Sequence, residues 1–131
     1  MGMTKLLGLA AILEAATGLA LVIHPALVGQ VLFGEGVAGA GMALARVAGF
    51  ALLALGVACW PSREAGSGSA RNAWAMLTYS LPVTIYLVYL GVMAHLAGLL
   101  LWPGAAAHAV WMLLLVVAWR HGRQRPGGLT P

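Results

Sequence analysis

One glutamate lies in the middle of an otherwise apolar run, in the stretch AAILEAATG from Ala10 to Gly18. A carboxyl group can bind a proton or a cation, but a charged side chain at the centre of a bilayer costs roughly 2.5–3.5 kcal/mol on insertion scales. On a helical wheel, Glu14 shares its face with small residues that let another helix approach closely. We therefore expect Glu14 to point into a helical bundle and to have a neutralising partner there.

Arg46 is the cation best placed to be that partner. It lies in a second apolar run, near small residues at four-residue spacing, Gly41, Ala45 and Gly49, a pattern typical of closely packed membrane helices. Counted at about 1.5 Å per residue, Arg46 lies several Å to the outer side of mid-membrane, within reach of Glu14. We predict an ion pair, whose role is either packing alone or binding of a ligand or proton. An unpaired Glu14 would instead be held neutral by protonation, which would favour a proton-coupled transporter.

The third apolar run adds hydroxyl groups on one helix face. Tyr79 and Tyr86 are seven residues apart, and Tyr89 falls on the same side, so these residues form a polar stripe. The fourth run contributes His108, about one turn from its outer end. The predicted buried polar cluster, a candidate ligand or proton site, consists of Glu14, Arg46, Tyr86 and His108, with Tyr79 and Tyr89 as secondary members. For each of these side chains, a purely structural role is the alternative.

Other side chains give less specific chemical signals. His24, His95 and Glu35 lie in connections on one side of the predicted bundle and are candidate metal ligands, although their spacing matches no metal-binding motif. The sequence contains no HExxH, no phosphate-binding loop and no recognisable Ser/His/Asp set. Only His108 lies clearly within a span, which argues against haem held by two histidines. The sequence therefore requires no cofactor, and it favours a protein that is not an enzyme.

The composition indicates an integral membrane protein. Hydrophobic residues make up 62% of the 131 residues and charged residues 8%, whereas about a quarter of the residues in a soluble domain are charged. The apolar residues fall into four runs, each near the ~20 residues that a helix needs to cross the hydrocarbon core, and such long runs favour helices over a barrel. We predict an all-α bundle of four transmembrane helices that forms one domain over residues 1–131. The predicted spans are about 6–23, 38–60, 73–93 and 99–119.

The distribution of basic residues predicts the orientation. Lysine and arginine precede the first span, lie between the second and third, and follow the fourth, whereas the other two connections contain none. By the positive-inside rule, both termini and the middle loop are cytoplasmic. Trp60, Trp74 and Trp119 then lie at the inner interface and Trp102 at the outer one, as an aromatic belt requires. These anchors account for the net charge of +4, so we predict no nucleic-acid binding.

The connections differ in character. Residues 61–72, PSREAGSGSARN, are predicted to form a solvated cytoplasmic linker, and residues 120–131 a basic cytoplasmic tail. After the first span, Pro25 ends the helix and apolar residues recur at helical spacing, which predicts a short interfacial helix on the outer surface. Pro103 suits the first turn of a helix better than its interior. The fourth span is therefore expected to start near Trp102.

The layout resembles that of the small DoxX-like bacterial membrane proteins. The resemblance is carried by four compact spans, by LARVAGFALLALGVACWP in span two with its embedded arginine, and by the Tyr-rich LTYSLPVTIYLVYLG in span three. It covers most of the chain at the level of layout. It implies a four-helix bundle in the bacterial inner membrane, sometimes associated with redox or quinone-linked complexes, and it assigns no catalytic residue.

Three functions are compatible with these features. The first is a non-enzymatic membrane protein, either an accessory subunit of a membrane complex or a binder of a lipid-like or quinone-like molecule, and it is favoured because most of the sequence serves packing. The second is a small oligomeric transporter or channel in which Glu14 exchanges a proton. The third is a membrane enzyme or redox protein that acts on a quinone or isoprenoid. The expected partners are the lipid bilayer, a membrane protein or second copy of the chain, and a lipid-like ligand.

Labelling of single cysteines in intact cells tests the predicted orientation. With Cys59 replaced, a cysteine at Gly36 should react with an impermeant thiol reagent because it faces the outside. A cysteine at Ser67 should react only after lysis. Labelling at Ser67 without lysis would contradict the topology, and with it the outer placement of the three candidate metal ligands.

Overall fold

The computed structural model describes residues 2–60 and 67–123, and the regular secondary structure in these ranges is entirely helical. The helices there are α1 (Met3–Ile23), α2 (Pro25–Phe33), α3 (Ala40–Ala58), α4 (Ser67–Val92) and α5 (Leu101–Arg123). All but the short α2 contain a stretch long and apolar enough to cross a membrane. The predicted all-α fold with four membrane-spanning helices is therefore confirmed.

Two helices extend from their predicted spans into the predicted linker and tail. α4 begins at Ser67, so residues 67–72 of the predicted linker are helical, while residues 61–66 lie outside the described residues. α5 continues to Arg123 into the predicted tail, of which residues 124–131 are likewise outside. Hydropathy locates only the part of a helix that lies in hydrocarbon, since polar residues can continue the same hydrogen-bonded helix in water. The start of α5 at Leu101 puts Pro103 in its first turn, as expected.

The helices pack as two hairpins. α1 packs against α3 along most of its length and α4 packs against α5, whereas the two pairs touch at few points, made by α1 and α2. α1 is therefore the central helix, with α3 on one side and the α4–α5 pair on the other. The larger core joins both pairs at the end where α1 and α4 begin. It contains Leu6, Leu7, Ala10, Cys59, Ala73, Met76 and Leu115.

Glycine lets α1 and α3 approach until their backbones are in contact. A Cβ atom added to Gly49 would lie 2.7 Å from the carbonyl oxygen of Gly18, and one added to Gly56 would lie 2.8 Å from that of Ala11. Small residues at an interface are the usual basis of tight helix packing in lipid, where the hydrophobic effect gives little drive for association. The contact uses Gly49 and Gly56 rather than the whole predicted small-residue stripe, because Gly41 lies instead against the α2–α3 connection.

The ends of α2 have residues that suit them. Pro25 occupies the first turn, where its missing N–H is not needed, and Gly34 ends the helix with a φ of 83°, the left-handed conformation that glycine adopts readily. The backbone N–H of Leu100 donates a hydrogen bond of 2.9 Å to the carbonyl of Val31. The predicted short helix is therefore present and is attached to the α4–α5 connection. Its position at a membrane surface stays a prediction.

Replacing Gly49 by alanine should destabilise the protein, because the added Cβ collides with a backbone carbonyl that cannot move unless α1 and α3 separate. Overpacking of this kind costs about 1–3 kcal/mol, which a lower Tm in detergent would report. The matched control is Gly104→Ala in α5, where the added Cβ meets only side-chain atoms at 3.7 and 3.8 Å. This control should be neutral or slightly stabilising. Equal losses in both variants would contradict the close approach of α1 and α3.

Candidate functional site

Three helices bring Glu14, Tyr79 and His108 together. The Tyr79 hydroxyl on α4 donates a hydrogen bond to the Glu14 carboxyl group on α1. The Tyr79 ring also packs edge-on against the imidazole of His108 on α5, with ring centroids 5.6 Å apart and planes at 72°. All three side chains are half-buried. We call this group of an acid, a phenol and an imidazole the polar cluster.

The polar cluster lies near the middle of the membrane-spanning helices. Glu14 and Tyr79 are each within a few residues of the midpoint of their spanning segments, and His108 is within one turn of its own. A carboxylate at this depth needs a cation beside it, or else it takes up a proton. Among the described residues, Tyr79 is the side chain that hydrogen-bonds to Glu14, and no cation pairs with it. Glu14 is therefore placed to exchange a proton.

Arg46 does not reach Glu14, so the predicted ion pair is wrong. The Nε–H of Arg46 donates a hydrogen bond to the backbone carbonyl of Val22, at 3.2 Å. Val22 lies in the last turn of α1, where carbonyl groups lack donors within the helix and form the negative end of the helix dipole. The arginine charge is compensated at this helix end instead of by the carboxylate.

The register of the α1–α3 pair explains why the two charges do not meet. Gly49 lies opposite Gly18 in an antiparallel arrangement, which puts Arg46 level with Leu21. Arg46 is thus about two turns, or roughly 10 Å, from Glu14 along the helix axis. The positions of Glu14 and Arg46 within their apolar runs predict a smaller separation. Both residues lie near the middle of their runs, and the sequence does not give the register of α1 against α3.

Tyr86 and Tyr89 lie outside the polar cluster. Their side chains are 60% and 54% exposed, and the rings stack with centroids 6.2 Å apart and planes at 16°. The seven-residue spacing predicts that Tyr79 and Tyr86 share a helix face, but α4 touches α1 over only a short stretch. Pro82, between them, also interrupts the regular hydrogen bonding of the helix. The secondary candidate Tyr79, rather than Tyr86, is the tyrosine that meets Glu14.

The three candidate metal ligands are exposed and lie in different connections. His24 joins α1 to α2, Glu35 follows α2, and His95 lies between α4 and α5 with a left-handed φ of 54°. Within the parts of the chain that the structure describes, no group of three or more His, Cys, Asp or Glu side chains could hold a metal ion. The geometry therefore gives no support to a metal site on these residues.

Trp111 contributes a buried polar group near the polar cluster, and only its three-residue spacing from His108 points to it in the sequence. The indole N–H of Trp111 is buried and has no hydrogen-bond acceptor among the described residues. Its ring packs against the core that contains Ala10 and Met76, each about one turn from a residue of the polar cluster. The three-residue spacing from His108 puts Trp111 on the same side of α5. Buried donors without an acceptor are rare, so this one marks a place where a polar group could bind.

No family model, no curated protein and no solved structure matches the chain. The geometry of the polar cluster is therefore the basis for a functional proposal. This geometry joins three side chains that can each donate or accept a hydrogen bond. At this depth in a membrane such side chains are energetically costly and are typically found at functional sites.

Double-mutant cycles should distinguish the Glu14–Tyr79 contact in the structure from the Glu14–Arg46 ion pair predicted from the sequence. The penalties of Glu14→Gln and Tyr79→Phe should not add, with a coupling of about 0.5–3 kcal/mol, as for residues in one hydrogen-bond network. The penalties of Glu14→Gln and Arg46→Met should add within about 0.3–0.5 kcal/mol, because these residues share no partner. Free energies of unfolding in detergent give both values. Coupling to Arg46 without coupling to Tyr79 would contradict the structure.

Proposed function

We propose that the protein is a small proton-coupled membrane transporter or channel in which Glu14 binds and releases the proton. The observation that carries the proposal is a carboxyl group near mid-membrane that is hydrogen-bonded to Tyr79 and has no cation beside it among the described residues. Ionisable residues inside membrane helices mark proton or ion pathways by default. Of the three functions that the sequence leaves open, this one needs an unpaired carboxyl group.

Each residue of the polar cluster has a role in this proposal. Glu14 is the proton acceptor. The Tyr79 hydroxyl orients the Glu14 carboxyl group and donates a hydrogen bond to it when the carboxyl group is ionised. His108, packed edge-on against Tyr79, is a second group that can donate or accept a hydrogen bond at this place.

The loose contact between the two hairpins suits a transport cycle. α1 meets α4 and α5 at few points, so the polar cluster lies at a seam between two well-packed helix pairs. A rocking motion of one pair against the other would expose Glu14 to each side in turn, as packed elements slide or rotate in other switching proteins. Four spans are few for a complete pathway, and we propose that two copies of the chain form it.

The identity of the membrane and the orientation of the protein in it are part of the same proposal. The basic residues support a bacterial inner-membrane protein with both termini in the cytoplasm. The four-span layout with its embedded arginine supports the likeness to the DoxX-like proteins. In this orientation α2 lies at the outer surface, and the ends of α3 and α5 face the cytoplasm.

A binder of a lipid-like or quinone-like molecule is the second candidate, and the buried indole N–H of Trp111 favours it. The polar head of such a ligand would accept a hydrogen bond from Trp111 and pair with Glu14, while its apolar part would lie in the seam between the hairpins. A protein of this kind could serve as an accessory subunit of a membrane complex.

Proton movement into proteoliposomes tests the transporter. With the membrane potential clamped and a pH gradient applied, the purified protein should acidify the lumen faster than empty liposomes do. Glu14→Gln should abolish this faster acidification because an amide side chain does not titrate near neutral pH. Tyr79→Phe should reduce the acidification rate only in part. Glu35→Gln, the same change at an exposed carboxyl group outside the spans, is the matched control and should leave the flux unchanged.

A second measurement is needed because a strictly coupled transporter moves protons only together with its substrate. Infrared difference spectroscopy should show a protonated-carboxyl band that titrates with pH, persists in Glu35→Gln and disappears in Glu14→Gln. If no titrating band belongs to Glu14, the proton-coupled function is wrong. A stoichiometric lipid-like molecule that copurifies with the wild type and is lost in Trp111→Phe would favour the second candidate instead.

A further inference from the structure

The end of the bundle where α1 and α4 begin carries exposed cations. Lys5 on α1, Arg71 on α4 and Arg120 on α5 are exposed there, and we call this the basic end. They lie at the same end because the N-terminal parts of α1 and α4 share one core with the end of α3 and the C-terminal part of α5. The acidic residues that the structure describes lie elsewhere, Glu14 near mid-membrane and Glu35 after α2.

A groove with an apolar lining lies between α4 and α5 at this end. It is a shallow surface groove lined by Ala70, Ala73, Trp74, Leu77, Leu115 and Trp119. The two indole rings are in edge-on contact, with centroids 5.6 Å apart. Trp74 is 56% exposed, so the groove lies at the surface of the bundle, where lipid can reach it.

On each of the two helices an arginine adjoins a residue of the groove in sequence. Arg71 directly follows Ala70 and is one turn before Trp74 on α4, and Arg120 directly follows Trp119 on α5. Tryptophan and arginine both favour the interface between hydrocarbon and water. This places the apolar groove at the depth of acyl chains and the two guanidinium groups at the depth of lipid phosphates.

We propose that the groove binds an anionic phospholipid, with part of one acyl chain against Trp74 and Trp119 and the phosphate on Arg71 and Arg120. Guanidinium groups bind phosphate oxygens through paired, charge-assisted hydrogen bonds. Basic pockets between membrane helices are recurrent sites for anionic head groups. Charge complementarity therefore selects an anionic lipid over a zwitterionic one, and the apolar lining selects a lipid over a free anion. The site shares no residue with the polar cluster and does not depend on the proposed proton coupling.

Native mass spectrometry of the full chain tests this site. The protein is released from detergent micelles that contain equal amounts of phosphatidylglycerol and phosphatidylcholine. It should retain one molecule of phosphatidylglycerol in preference to phosphatidylcholine. The double variant Arg71→Gln/Arg120→Gln should weaken this retention roughly tenfold or more, because it removes the charge-assisted hydrogen bonds to the phosphate. Lys5→Gln removes the same charge at the same end, but on α1 rather than beside the groove. This matched control should leave the retention nearly unchanged.

A second pair of variants tests the groove itself. Ala70→Phe fills it and should lower retention of phosphatidylglycerol, whereas Ala75→Phe, at an exposed position of the same helix, should not. Circular dichroism checks that each variant folds, and Ala70→Leu replaces Ala70→Phe if the larger residue prevents folding. Glycerophosphoglycerol, the head group without acyl chains, should not compete.

Three outcomes would overturn the proposal. The first is equal retention of the two lipids, which would mean that charge does not select the ligand. The second is a loss in Lys5→Gln as large as in the arginine variant, which would indicate general attraction to the basic end. The third is retention that survives in the variant that fills the groove.

Discussion

The backbone contact between α1 and α3 sets the relative positions of the two charged residues in the spanning helices, Glu14 and Arg46. Gly18 and Gly49 bring the two helices so close that neither position has room for a Cβ atom. The small-residue face of α1 is thereby used by α3, and the adjoining face, which carries Glu14, turns toward α4 and α5. The same contact sets the antiparallel register, and this register carries Arg46 to the end of α1 and away from the carboxyl group. In lipid, where apolar surface alone gives little drive for association, such packing decides which helices pair.

The two embedded charges are accommodated in different ways. Arg46 has a long side chain that reaches the last turn of α1, where a carbonyl group accepts its hydrogen bond and the helix dipole offsets its charge. Glu14 has a short side chain and stays near mid-membrane, where Tyr79 provides a hydrogen bond and no cation pairs with it among the described residues. The arginine is therefore held at the end of α1, whereas the carboxyl group has a hydrogen-bond donor but no charged partner among the described residues.

The hairpins divide the molecule into tightly and loosely packed regions. Each helix pair is held along its length, but the pairs meet mainly at the basic end and through α2. The polar cluster lies at the loose seam, where a change in protonation can alter how the pairs meet. The proposed lipid groove lies within the tightly packed α4–α5 pair, at the depth of the acyl chains. The proposed proton exchange and the proposed lipid binding therefore use different residues of the bundle.

The sequence by itself determined the properties that depend on local chemistry. Hydropathy and length located the four spanning helices, Pro25 and the apolar pattern after it predicted α2, and Pro103 placed the start of α5. The sequence could also single out Glu14 and His108, because polar residues in apolar runs are conspicuous. It could not tell which tyrosine meets the glutamate, since Tyr79 and Tyr86 have the same spacing pattern and differ only in which helix lies beside them. Nor could it exclude the pair with Arg46, because the register of two helices is decided by how closely their backbones approach, which is a property of the packed structure and not of either segment alone.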